Sequence, residues 1–277
     1  MKHQQFSFRK FGCVFLTGLV LSCIVVNQSG VLAQNTPQAA NTTAAIEAPN
    51  SMQLFLLVGQ SNMAGRGKVE PQDEVTHPRI WMLNKDLKWT LAKDPLHFDK
   101  PIAGVGLASE FARVLAKSSP DINIGLIPCA VGGTNLDQWS NPRGTLYKDA
   151  IMRAREALNN GKLAGILWNQ GESDSAPARV ETYPARLSAL FAQFRKDLDA
   201  PNVPIIVGEI GRFRPDQDAF NAMLPNAVAQ IPNSALVSAE GLEDKGDKLH
   251  FGSAALRTFG QRYAAEYLKL KAANTKQ

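Results

Sequence analysis

Three residue types in this chain could together carry out acyl transfer. Ser61 stands in Gly59-Gln60-Ser61-Asn62-Met63, directly after the apolar run of residues 53–58. That run reads as a buried strand, and the glycine-punctuated stretch behind it as a tight strand-to-helix turn. A serine on such a turn is held clear of the backbone, close to the first unpaired N–H groups of the next helix. These are the needs of an acyl-transfer nucleophile. Capping of the following helix is the plainer role of the same Ser61-Asn62 pair. A base for this serine would be a histidine, and beyond the first 33 residues the choice is His77, His97 or His250. His250 is the best placed, because Asp247 precedes it by three residues. That spacing lets a carboxylate accept the imidazole Nδ1–H while Nε2 faces outward, although Asp-x-x-His is also an ordinary surface turn. His77 reads as a loop residue, and His97 as a loop residue that could line the site.

An oxyanion needs N–H donors. Gly132-Gly133, after the apolar run 123–128, leaves backbone N–H groups able to approach a ligand closely. Gln170, in Trp168-Asn169-Gln170-Gly171-Glu172-Ser173-Asp174, could add a side-chain N–H to the same oxyanion. The glycine pair is not a phosphate loop, since no Lys-Ser/Thr follows it and no Gly-x-Gly-x-x-Gly follows the first strand. Glu172, Asp174 and Glu209 leave a glycosidase reading open, with two carboxylates as acid and base; helix-end capping explains Glu172 and Asp174 equally well. Cys129, at the end of an apolar strand with no adjacent charge, reads as an inert buried thiol. Metal-ligand spacing is absent. Gln60, Asn62, Glu172, His97 and Trp139 are candidate substrate contacts, Trp139 through a ring face offered to a sugar; Trp168 reads as core.

The elements that would position these residues alternate short apolar runs with longer amphipathic stretches, the pattern of a parallel sheet covered by helices on both faces. Strands are expected at 53–58, 79–83, 123–128, 165–169, 204–209 and 235–238. Helices are expected at 105–117, 147–160, 180–198, 220–231 and 253–271, the last with Leu256, Phe259, Gly260, Tyr263 and Tyr267 on one stripe. Residues 66–104, the longest poorly patterned stretch, read as a surface excursion over one end of the sheet. Ligands of an open α/β sheet sit beyond the carboxyl ends of its strands, and each polar cluster above follows a strand.

The first 33 residues carry Lys2, Arg9 and Lys10 and no acid, then an apolar run, then Val31-Leu32-Ala33. This is the pattern of a secretory signal peptide cleaved after Ala33, with an apolar run short of the ~20 residues of a membrane span. Cleavage would take three positive charges from the formal net charge of +5, which weakens any nucleic-acid reading, and would leave no membrane partner. Cys13 and Cys23 would go too, leaving Cys129 with no partner for a disulfide. Residues 34–50 read as a flexible linker, 51–272 as one domain and 273–277 as a tail.

In this order, the blocks at Ser61, at Gly132-Gly133-Thr134, at Trp168–Asp174 and at Asp247-Lys248-Leu249-His250 resemble those of the SGNH hydrolases. More narrowly they resemble the branch of sialate O-acetylesterases and acetyl xylan esterases, carbohydrate esterase family six, and within it the plant-type single-domain members. The resemblance implies a three-layer α/β/α sandwich with a mainly parallel flavodoxin-like sheet, needing no cofactor or metal. It implies Ser61 as nucleophile, His250 as base and Asp247 as the acid that orients it. The oxyanion donors would be the N–H of Ser61, the N–H of Gly132 or Gly133, and Gln170, which falls where many of these enzymes carry an asparagine. The expected activity is removal of O-acetyl groups from a carbohydrate by a secreted or periplasmic serine esterase. A broader short-chain esterase or lipase, and a non-catalytic carbohydrate-binding protein on the same scaffold, are the alternatives.

Overall fold

The computed structural model describes residues 47–275. The expected signal peptide, with Cys13 and Cys23, and residues 34–46 of the expected linker lie outside the described residues. Among those described, the strands are β1 (Met52–Gly59), β2 (Ile80–Leu83), β3 (Trp89–Leu91), β4 (Asn123–Pro128), β5 (Gly161–Asn169), β6 (Ile205–Gly208) and β7 (Ser234–Val237). The helices are α1 (Ser61–Ala64), α2 (Leu107–Ser118), α3 (Leu136–Trp139), α4 (Thr145–Ala157), α5 (Pro177–Asp197), α6 (Asp218–Ala229) and α7 (Ser253–Thr275). One sheet holds the strands in the order β3-β2-β4-β1-β5-β6-β7. Only β2 and β3 pair antiparallel.

The central strand β1 is buried on both faces, which is why it reads as a near-continuous apolar run. Its side chains alternate between two cores. Leu54, Leu56 and Val58 pack with α4, α5 and α6, whereas Phe55 and Leu57 pack with α2 and α7. The result is the expected three-layer α/β/α sandwich. Phe55 anchors the second core, meeting Phe111 and Tyr267 edge-on at centroid distances of 4.9 and 5.2 Å. Truncating such a ring to alanine costs about 3–5 kcal/mol.

Several elements depart from the sequence reading, β5 among them, which starts at Gly161, four residues before the expected start. The stretch 66–104 is more than a surface excursion, because it supplies the edge strand β3 and buries Arg66, Asp73, Asp94, Leu96 and His97. A three-residue strand is too short to carry an alternation signal. Helix α5 starts at Pro177, three residues before the expected start, since a proline at the first helical position gives up only an N–H that has no intrahelical acceptor. Helix α7 runs on to Thr275, into the expected tail.

The connection leaving β1 runs toward β2 on one side, and that leaving β5 runs toward β6 on the other. The crevice between the carboxyl ends of β1 and β5 is therefore the topological switch point, the place where such sheets bind ligands. Ser61 follows one of these strands and Gln170 the other.

Candidate active site

At its carboxyl end β1 presses directly on β5. Gly59 has φ 131°, and a Cβ there would come within 2.1 Å of the Asn169 carbonyl oxygen, so only glycine fits. The Gln60 N–H then donates to that same carbonyl at 2.9 Å, and the chain turns into α1 at Ser61. Ser61 is 6% exposed. Its own N–H, at the start of the helix, has no acceptor within the described residues.

His250 and Asp247 come from a loop closed by a bridge between Asp244 and Phe251. The Lys245 N–H reaches the His250 carbonyl at 2.9 Å. His250 Nε2 lies 3.1 Å from Ser61 Oγ, and His250 Nδ1 lies 2.8 Å from Asp247 Oδ2. The other Asp247 oxygen accepts the N–H groups of Leu249 at 3.0 Å and His250 at 2.8 Å. Partial burial opposes ionisation of Asp247, but the bonds from His250 and Leu249 outweigh it and hold this carboxyl well below the usual carboxylate range. A permanently ionised acceptor on Nδ1 fixes the tautomer that leaves Nε2 free to take a proton from Ser61.

Asn62 ties the two loops together. Its Oδ1 accepts the Phe251 N–H at 3.1 Å, and its Nδ2 donates to the Leu249 carbonyl at 3.2 Å and to Glu172 Oε1 at 2.5 Å. The residue after the serine thus grips the backbone on either side of His250. Asn62 is fully buried, so the expectation that it contacts substrate does not hold. Glu172 has its Oε2 sealed from solvent, and burial pushes its pKa up despite the bond from Asn62; it too faces the framework rather than a ligand.

The oxyanion side corrects the expected donors. The Gly132 N–H donates to Asp99 Oδ2 at 2.8 Å, and Asp99 is ion-paired with Arg66 at 2.6 Å, both side chains 2% exposed. Gly133, at φ 82°, presents an N–H with no acceptor within the described residues. Gln170 is fully buried and its amide is engaged. Its Oε1 accepts from the Tyr183 hydroxyl at 2.9 Å, while Nε2 faces Asp174 Oδ2 at 2.7 Å, Gln60 Oε1 at 3.0 Å and the Thr134 carbonyl at 3.3 Å. With no N–H left over, Gln170 holds Gln60 instead of an oxyanion. Gln60 Nε2 has no partner among the described residues and is not sealed from solvent, so of the two glutamine amides the one beside Ser61 is available as a donor to a ligand.

Other expectations are settled by burial. Trp139 is 0% exposed, stacks edge-on against Trp168 and donates from Nε1 to Thr134 Oγ1 at 3.0 Å, so no ring face remains for a sugar. His97 is buried, which pushes its pKa down to about 3 and keeps it neutral; it lines a small cavity together with Asp99, Cys129 and Val131. Burial likewise pushes the Cys129 thiol up to about 12, the inert state expected. Asp174 accepts from Leu136 N–H, Gln170 and Arg179, and Glu209 from Ala239 N–H and Arg212, so neither carboxylate is open for glycosidase chemistry. No cluster of three or more potential metal ligands exists among the described residues. Sequence reasoning missed Asp99, Arg66 and Tyr183, which lie outside the four blocks and carry no local signal.

A family model described as carbohydrate esterase, sialic acid-specific acetylesterase, matches residues 51–269. The chain belongs to this family. The esterase is 33% identical to a probable carbohydrate esterase of Arabidopsis thaliana, across 78% of this chain and 90% of the relative. A solved structure of an Arabidopsis thaliana protein matches it with a TM-score of 0.73 at 32% identity, covering 80% of this chain and 98% of that one. NanS shares the fold with a TM-score of 0.69 at 20% identity, covering 82% and 100% of the two chains. A carbohydrate acetylesterase from Xanthomonas citri does so with a TM-score of 0.60 at 16% identity, covering 79% and 56%. The fold is thus one shared with known carbohydrate esterases, and the esterase is a carboxylic ester hydrolase.

Proposed function

We propose that this esterase removes O-acetyl groups from a carbohydrate through an acyl-serine intermediate. The observation that carries the reading is the unbroken chain from Ser61 Oγ to His250 Nε2 at 3.1 Å and from His250 Nδ1 to Asp247 at 2.8 Å. In this reading Ser61 attacks the ester carbonyl carbon as His250 takes its proton, and Asp247 stabilises the imidazolium that forms. The N–H groups of Ser61 and Gly133 and the Nε2 of Gln60 receive the charge of the tetrahedral intermediate, where one donor is worth ~3 kcal/mol. His250 gives the proton to the departing sugar oxygen, then takes one from a water that attacks the acyl carbonyl carbon, and passes it to Ser61 Oγ as the Oγ–carbon bond breaks and acetate leaves. The signal-like first 33 residues support export as the setting of this activity.

The test is acetate release from acetylated xylo-oligosaccharides, from O-acetylated sialic acid and from 4-nitrophenyl acetate, with Ser61→Ala as the control. Release by the native protein alone supports the mechanism, and the rates across the sugars rank the substrates. Full activity in a clean Ser61→Ala preparation overturns it. A flat rate profile out to long acyl chains would replace deacetylation by a broader esterase.

A further inference from the structure

One turn, at the end of β5, reaches both residues that flank Ser61. Gln170 holds Gln60 at 3.0 Å, and Glu172 holds Asn62 at 2.5 Å, each pair 110 residues apart in the chain. The second contact reaches further than the first. Asn62 has two amide hydrogens and one carbonyl oxygen aimed at three partners: Glu172, the Leu249 carbonyl and the Phe251 N–H. Phe251 N–H can only donate, and the Leu249 carbonyl can only accept, so these two alone set which end of the amide is which. The remaining amide hydrogen needs an acceptor, and in this buried place Glu172 Oε1 supplies it.

Resting on the esterase reading above, we infer that Glu172 is a positioning residue for His250, acting through Asn62 on the backbone either side of the imidazole. The loop carrying His250 and Asp247 is half-open, with side-chain exposures of 16% and 38%. The local bonds of that loop orient the ring toward Asp247 but do not set its distance from Ser61. Asn62 does, because it is Ser61's own neighbour and grips Leu249 and Phe251 at once. Glu172 keeps the Asn62 amide from rotating out of that grip. It does so with one oxygen while the other is sealed from solvent, which leaves that oxygen no route to a bound sugar. A proton relay between Ser61 and His250 is sensitive to this placement, since a misplacement of about 1 Å costs roughly a hundredfold in rate.

The experiment compares Glu172→Met, which has no strong acceptor, with Glu172→Gln, which keeps one, in the full chain. Each is assayed on 4-nitrophenyl acetate and on an acetylated sugar, beside Asn62→Ala, the double variant Glu172→Met/Asn62→Ala, and Ser61→Ala. Expected is a kcat loss of about 10–100-fold for Glu172→Met, equal on both substrates, with KM unchanged. Glu172→Gln should recover most of it, and the double variant should be no worse than Asn62→Ala alone, the mark of two residues acting as one unit. A rise in KM confined to the sugar would make Glu172 a substrate contact and overturn the inference. So would equal losses in Glu172→Met and Glu172→Gln, additive losses in the double variant, or native kcat in Glu172→Met. Should Glu172→Met fail to fold by circular dichroism, Asn62→Ala is read in its place: a kcat loss shared by both substrates supports the inference, and native kcat overturns it. An inert Ser61→Ala beside a fully active Glu172→Met leaves the esterase standing and removes only the positioning role. An active Ser61→Ala removes both.

Discussion

The two halves of the site are built on opposite principles. The nucleophile half is buried: Gln60, Ser61, Asn62, Thr134, Gln170 and Asp174 are each 6% exposed or less, and their partners lie on remote parts of the chain. The base half is a single loop in which Asp244, Asp247 and His250 bond chiefly to one another's neighbours within a few residues. Buried polar networks are strong only when every member is satisfied, so the nucleophile half links local geometry to global stability. The base half carries little of the fold. What the difference teaches is that loss of activity and loss of stability should separate between the halves, and substitutions can test this.

The largest effect belongs to the reacting groups. Ser61→Ala and His250→Ala should each lower kcat by about 10⁴-fold or more on 4-nitrophenyl acetate. Asp247→Asn should follow with about 10³–10⁴-fold, while its melting temperature moves little because the side chain is 38% exposed. A large drop in melting temperature for Asp247→Asn would break the contrast. Asp99→Ala is the opposite case. It strips Arg66 of its buried partner and Gly132 of its acceptor, and removing one member of a buried ion pair costs about 3–5 kcal/mol. Denaturant unfolding should show that loss, together with slower turnover as the Gly133 N–H drifts. Gln60→Ala should lower kcat by about 10²–10³-fold with KM nearly constant, the behaviour of one oxyanion donor. Equal kcat for Gln60→Ala and the native protein would remove Gln60 from the oxyanion hole.

The smallest effect lies away from the chemistry. Burial raises the Asp94 carboxyl to about 7, so the folded protein keeps a proton that the unfolded chain releases near the ordinary carboxylate value. The folded state thus binds more protons between about pH 4 and pH 7, and stability falls as the pH rises through that window. Asp94→Asn stays neutral throughout. Its melting temperature should gain on the native protein between pH 5 and pH 8, and a constant difference would show that Asp94 does not titrate in the fold.

Much of this arrangement was legible in the residue order. The run 123–128 coincides with β4, and the other expected strands fall within a few residues of β1, β2, β5, β6 and β7, because buried parallel strands leave unbroken apolar runs. The residues of the four blocks do converge on the crevice between β1 and β5, since each follows a strand and parallel strands bring their carboxyl ends to one edge. The edge strand β3 was not legible, nor were Arg66 and Asp99, whose partnership depends on a fold-back with no periodic signal.

Sequence by itself determined the layers of this fold and which loops meet, because apolar periodicity and glycine punctuation are local properties that burial turns directly into strands, helices and turns. It also brought Ser61, Asp247 and His250 into view, since Asp247 and His250 are three residues apart and the serine sits on its own strand end. Only the tertiary structure decided which amide is held and which is left over. Gln60 and Gln170 are the same residue type in neighbouring turns, yet Gln170 is enclosed by Tyr183, Asp174 and Thr134 while Gln60 keeps a solvent-reachable Nε2. Gly132 and Gly133 differ in the same way, through one bond from Asp99. Hydrogen-bond capacity is fixed by residue type, but its allocation depends on partners tens of residues away, which no local pattern records.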